Sequence, residues 1–207
     1  GLPDVAIPGV SSGSSDAAPV DLASLLTQQK DLMGLFKQSM GNMLTAQSLT
    51  LAAGGMKAEA EKASAAAANY GTGSVVSSEQ LKRDTELSTN ASKAISELTK
   101  QNSALSAEAQ SQLLSAVPHY AMGMYEGTKL PKGFQAWADS AKSGMSGLMS
   151  DPASASKLTG GLDEVATVTQ NLPSLISAWT TTSQAFLSYA KSNKVDTKDL
   201  SSKMGDL

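Results

Sequence analysis

The 207-residue chain predicts an all-α fold, an antiparallel bundle of long helices behind an extended N-terminal arm. Three observations predict it. Apolar residues recur at three- and four-residue spacing through most of the chain, the pattern of a helix with one buried face. Helix-start signals stand in front of several of these stretches. No alternation of β-branched residues framed by turn signals occurs beyond the arm, so the body is expected to hold no strands.

Residues 1–19 carry three prolines and a Ser/Gly cluster and read as an extended arm or tether. It is either a spacer to a membrane anchor upstream of residue 1 or a strap held by Leu2, Val5, Ile7 and Val10. Residues 20–207 are expected to form one helical-bundle domain.

The first helix begins behind Asp21 as N-cap and carries Leu22, Leu25, Leu26, Met33, Phe36, Met40, Met43, Leu44 and Leu51 on its apolar face. Gly34 and Gly41, seven apart, share a face on which another helix can approach closely. Gly54 and Gly55 weaken or kink this helix, the Ala-rich stretch 57–69 resumes it, and 70–73 ends it in a hairpin turn. Ser77 and Gln80 match the capping-box spacing of the next segment. Its seam runs through Leu81, Leu87, Ala91, Ile95, Leu98, Leu105 and Ala109, in the manner of a coiled-coil stripe interrupted by Asp84, Ser88 and Asn102. This is one long helix, or two if Ser106 caps a new start. Pro118 is expected to kink or end it. Breaks at 127–133 and 150–152 bracket a short helix with Phe134, Trp137, Ala138, Ala141, Met145, Leu148 and Met149. Asp151 before Pro152 is an N-cap and first-turn pair. Gly160, Gly161 and Pro173 subdivide the remainder. A final long helix carries Leu175, Ile176, Trp179, Phe186, Leu187 and Ala190 and ends near Asn193, and Asp196 caps a terminal helix over 197–204.

Composition excludes much chemistry. The chain has 0 Cys and 1 His, which removes thiol nucleophiles, Cys-ligated zinc and sites that need two imidazoles. A net charge of -3, with Arg83 as the single arginine among 16 scattered basic residues, argues against nucleic-acid binding. No run of about 18 apolar residues is present, so no transmembrane helix is expected. No cofactor is expected either. The acidic neighbours Glu59/Glu61 and Asp163/Glu164 diverge on a helix, whereas Glu59 with Lys62 and Lys93 with Glu97 fit surface pairing.

Two local clusters are candidate sites. His119, Met122 and Met124 combine an imidazole with two thioethers, donors that suit Cu(I) and resemble the His/Met sites of copper-handling periplasmic proteins. On a helix Met122 falls near His119 while Met124 points away, so all three converge only if the segment unwinds after Pro118. Met40 and Met43, without a histidine beside them, read as core. Around the Pro/Gly-rich segment 118–133, Tyr120, Tyr125, Phe134 and Trp137 either line a ligand pocket rimmed by His119, Lys129 and Lys132 or cap the bundle where its helices diverge.

Two charge-free stretches, 38–56 and 165–190, are studded with Gln, Asn, Ser and Thr. They read as the central helices of the bundle, or as segments released into a bilayer in an arrangement loosely similar to α-helical pore-forming toxins. The cysteine-free, Ala/Ser-rich composition is similar in kind to secreted helical proteins that assemble, such as flagellar and secretion-system subunits. The expected function is therefore binding without catalysis. It is that of an adaptor or scaffold of the bacterial envelope, periplasmic or secreted, acting through a protein partner or self-association. The alternatives are a ligand-sensing module using 118–137 and a membrane-active bundle.

Overall fold

A computed structural model describes residues 21–71, 75–101, 104–144 and 151–205. The arm at 1–19, Asn102, Met145, Leu148 and Met149 lie outside the described residues. Among the described residues the regular structure is helical throughout, as the periodicity predicts. Helix α1 spans Leu22–Ala53, α2 Lys57–Ala67, α3 Ser78–Leu98 and α4 Ala107–Gly127. They are followed by α5 at Leu130–Gly144, α6 at Pro152–Gly160, α7 at Leu162–Ser192 and α8 at Lys198–Gly205. A single 3-10 turn, Ala68–Tyr70, extends α2.

Short-range start signals place the N-termini. Asp21, Ser77, Ser106 and Asp151 each accept a backbone N–H of the first turn, and Asp196 accepts from Lys198 N. Each satisfies one of the donors that a helix start leaves without an intrahelical partner. The Ser77 box is only half formed. Ser77 Oγ takes Gln80 N at 3.1 Å, while the Gln80 amide donates onward to Asp84 Oδ1 at 3.0 Å. On the surface Glu97 pairs with Lys100, at 3.0 Å, rather than with Lys93.

The expected breaks fare differently. Gly54 and Gly55 end α1 outright: Gly55 takes φ 83°, and Met56 N closes back on Leu51 O at 2.9 Å. The second segment is two helices, with Ser106 capping the second. Pro118 and Pro173, expected to end or divide helices, sit inside α4 and α7. Both prolines are exposed, so the carbonyls they displace face water, and core residues on either side hold the helix through them. The break at 127–133 contracts to Thr128 and Lys129, because Leu130, Gly133 and Phe134 are buried on α5.

Hydrogen-bond registers give the helix directions. Helix α1 runs antiparallel to α4, with Ser39 bonded to Gly123 and Thr50 to Tyr120, and antiparallel to α2, with Ser48 bonded to Ala60 and Gly41 against Tyr70. Helix α3 instead runs parallel to α1, from Gln47 with Ser88 to Gly54 against Leu98. It also runs parallel to α7, from Ser88 with Trp179 to Thr99 beside Tyr189. The charge-free stretches thus lie in α1 and α7, whose Met40, Met43, Leu44, Leu175, Trp179 and Phe186 are fully buried. Among the described residues no helix is long and apolar enough to cross a membrane.

The α1–α4 seam is apolar and close. Gly123 admits Met43, whose Sδ would stand 2.6 Å from a Cβ there, and Gly127 admits Ser39 and the Trp179 ring. Gly41 abuts Tyr70, whereas Gly34 meets no neighbour. Beside this seam Tyr120 packs on Phe186 of α7 at 4.4 Å between ring centroids. Its hydroxyl donates to Thr50 Oγ1 at 2.7 Å, because Thr50 uses its own proton on Ala46 O.

Candidate functional site

The aromatic cluster of 118–137 is largely absorbed by the core. Tyr120, Phe134 and Trp137 are buried, and Trp137 Nε1 donates to Leu25 O at 3.0 Å, tying α5 to the start of α1. Burial also pushes the Tyr120 phenol well above its ordinary range. Tyr125 is half-buried and carries two cations on its ring, Lys129 Nζ at 3.8 Å and Lys203 Nζ of α8 at 4.6 Å from the centroid. Lys132 is exposed.

The three suggested copper donors separate along an unbroken helix. His119 and Met122 are half-buried and about 60° apart around α4, while Met124 lies roughly 140° from His119 and is buried in the core. No cluster of three or more His, Asp or Glu side chains suited to a metal ion occurs among the described residues.

What the fold brings to His119 is a partner pair that lies 77 and 7 residues away in sequence. Asn42 of α1 takes the His119 Nδ1 proton on its Oδ1 at 3.0 Å, and its Nδ2 donates to Glu126 Oε1 at 3.2 Å. The amide thereby fixes the ring tautomer and leaves Nε2 as the basic nitrogen. Burial holds the imidazole below its ordinary value. Glu126 is only 3% exposed, and burial raises its carboxyl to about 7 against the opposing pull of Asn42 and Lys129. This chain can orient an imidazole and exchange protons near neutrality. Among the described residues no serine or threonine hydroxyl is bonded to His119.

A second polar constellation occupies the core between α1, α3 and α7. Ser88 Oγ donates to Gln47 Oε1 at 2.8 Å and accepts Trp179 Nε1 at 2.9 Å. Gln47 Nε2 donates to Ser88 O at 3.1 Å and reaches Thr182 Oγ1 at 3.4 Å, and Ser92 Oγ donates to Ala178 O. Asp84, another polar interruption of the sequence seam, accepts the Tyr70 hydroxyl at 2.8 Å; burial, then this bond, drives the phenol far above its ordinary range. The interruptions of the α3 stripe are thus inward-facing hydrogen-bonding positions.

Open grooves lie between the helices. One of about 370 Å³ separates α2 from α3. Leu51, Leu87, Ala91 and Ala94 form its floor, and its rim holds Glu59 and Lys62 on α2 with Arg83 and Glu86 on α3. A more polar groove of about 470 Å³ lies between α2 and the start of α4. Comparison of the chain with protein-family models, curated proteins and solved structures finds no match.

Proposed function

We propose that this protein acts by binding a protein partner, as an adaptor or scaffold of the bacterial envelope, and not as an enzyme. The observation that carries the reading is the α2–α3 groove, an apolar floor between two rims that each present one acid and one base. That arrangement fits a helix of the partner, with its apolar stripe on Leu87, Ala91 and Ala94 and its own charges paired against Glu59, Lys62, Arg83 and Glu86. Alternating rim charges add orientation and discrimination more than affinity. The rings that could have lined a small-molecule pocket are engaged in packing instead, which weighs for a surface function. The periplasmic or secreted setting rests on the cysteine-free, Ala/Ser-rich composition.

The test is site-specific photocrosslinking in the source cells. A photoreactive residue at exposed Asn90, on the groove, is expected to give a discrete crosslinked species that Leu87→Glu abolishes while far-UV circular dichroism is unchanged. The same residue at exposed Gln170 of α7 gives none. Identical products from both positions, or a product indifferent to Leu87→Glu, contradict the reading.

A further inference from the structure

We propose that His119, Asn42 and Glu126 form a proton-operated latch that fastens the C-terminal half of α4 to α1 when the three side chains together hold one titratable proton, and loosens when they hold none or two. The geometry is a continuous hydrogen-bonded chain between two helices. It runs from the imidazole Nδ1 to Asn42 Oδ1 at 3.0 Å, and from Asn42 Nδ2 to Glu126 Oε1 at 3.2 Å.

With one proton to place, two arrangements keep both bonds in the same direction. In one, a neutral imidazole faces a protonated Glu126 whose carbonyl oxygen accepts from Asn42. In the other, an imidazolium faces the carboxylate through the same amide. Neither leaves net charge in the chain. Removing the proton leaves a carboxylate at 3% exposure, and adding a second leaves an imidazolium beside a neutral acid. Either end state strands one charge where desolvation is costly.

On α4 itself Lys129 attracts the carboxylate, and on α8 Lys203 shares the Tyr125 ring with it. On α1 the stretch 38–53 carries no charge and Lys37 lies just before it, and on α5 the nearest cation is exposed Lys132. Helix α7 is charge-free over 165–190. The alkaline state is therefore partly offset by Lys129, while burial alone sets the imidazole's shift; Asp199 is the acid of α8, which packs on α4. Glu126 titrates at about 7, above its ordinary range, so its contribution to folding is full below that range and lost as pH rises through 7. His119 titrates below its ordinary value, so its contribution is full above that value and lost as pH falls through the depressed one. Because the groups share one amide, their protons leave in two steps that belong to the pair.

The chain has one histidine, so a single imidazole Cε1–H resonance reports the latch. In ¹H–¹³C spectra of the folded protein it is expected to show two inflections, one near pH 7 and one below the ordinary imidazole range. Glu126→Gln removes the upper one, and Asn42→Ala collapses its amplitude at least threefold. Backbone exchange at 122–127, normalised to intrinsic rates, is expected to lose protection at least tenfold from pH 6.5 to 8.5 in the native sequence and not in Glu126→Gln. A single inflection unaffected by Glu126→Gln overturns the coupling. Protection at 122–127 that is flat with pH overturns the latch whatever the titration shows.

Discussion

The contacts of α1 with α4 and the contacts of α3 with its neighbours show two ways to bury a helix. On α4 the inward face is Leu113, Ala116, Val117, Tyr120, Ala121 and Met124, closed onto α1 through Gly123 and Gly127. On α3 the buried set includes Asp84, Thr85, Ser88 and Ser92 beside Leu81, Ala91, Ile95 and Leu98. The first seam gains chiefly from removing apolar area from water, with the Asn42–Glu126 and Thr50–Tyr120 bonds crossing it. The second adds to its apolar burial a set of buried hydrogen bonds that fix the register of α1, α3 and α7. Helix α4 packs chiefly on α1, whereas α3 packs chiefly on α7 and meets α1 and α2 through the Leu51, Ala60, Ala63, Ala91 and Ile95 cluster. Leu51 and Ala91 of that cluster line the α2–α3 groove.

The largest break in this comparison is expected on the apolar side. Tyr120→Ala removes a ring tilted against Phe186 and the donor to Thr50 Oγ1, and is expected to cost about 3–5 kcal/mol in urea unfolding. Tyr120→Phe keeps the ring and is expected to cost about 1 kcal/mol. On the polar side Gln47→Ala removes the acceptor of the Ser88 hydroxyl proton and the side-chain donor to Ser88 O in the core, for about 1–3 kcal/mol by the same measurement. The double variant Gln47→Leu/Ser88→Ala should cost less than the sum of its singles, because both ends of the bond go together. The smallest effect is a gain outside both seams. Lys194 follows α7 at φ 59°, the left-handed position that Gly55 fills after α1, so Lys194→Gly should stabilise by about 1 kcal/mol. A thermal melt checks it.

The parts of the fold readable in the sequence are those set by neighbours a few residues apart. Asp21, Ser77, Ser106, Asp151 and Asp196 announce helix starts because the bond each makes spans two or three residues. Pro118 and Pro173 misled because their local cost is overruled by distant packing of Val117, Tyr120, Leu172 and Leu175. The site divides in the same way. His119 stood out as the one histidine, yet Asn42 and Glu126 carried no signal, since an amide on α1 becomes their bridge only when α4 folds back antiparallel. Tyr120, Phe134 and Trp137 read as pocket rings or as a cap on the bundle because 118–133 reads as loop-like. Set on α4 and α5, all three point into the core.

Native-state hydrogen exchange in low denaturant tests the division most directly. The account predicts that amides of 87–95 in α3 exchange through a partial opening, with a denaturant slope well below that of global unfolding. Amides of 39–44 in α1 and 113–124 in α4, measured near pH 6.5, should exchange only with the whole molecule. Equal opening free energies and equal slopes for α3 and α4 would contradict it.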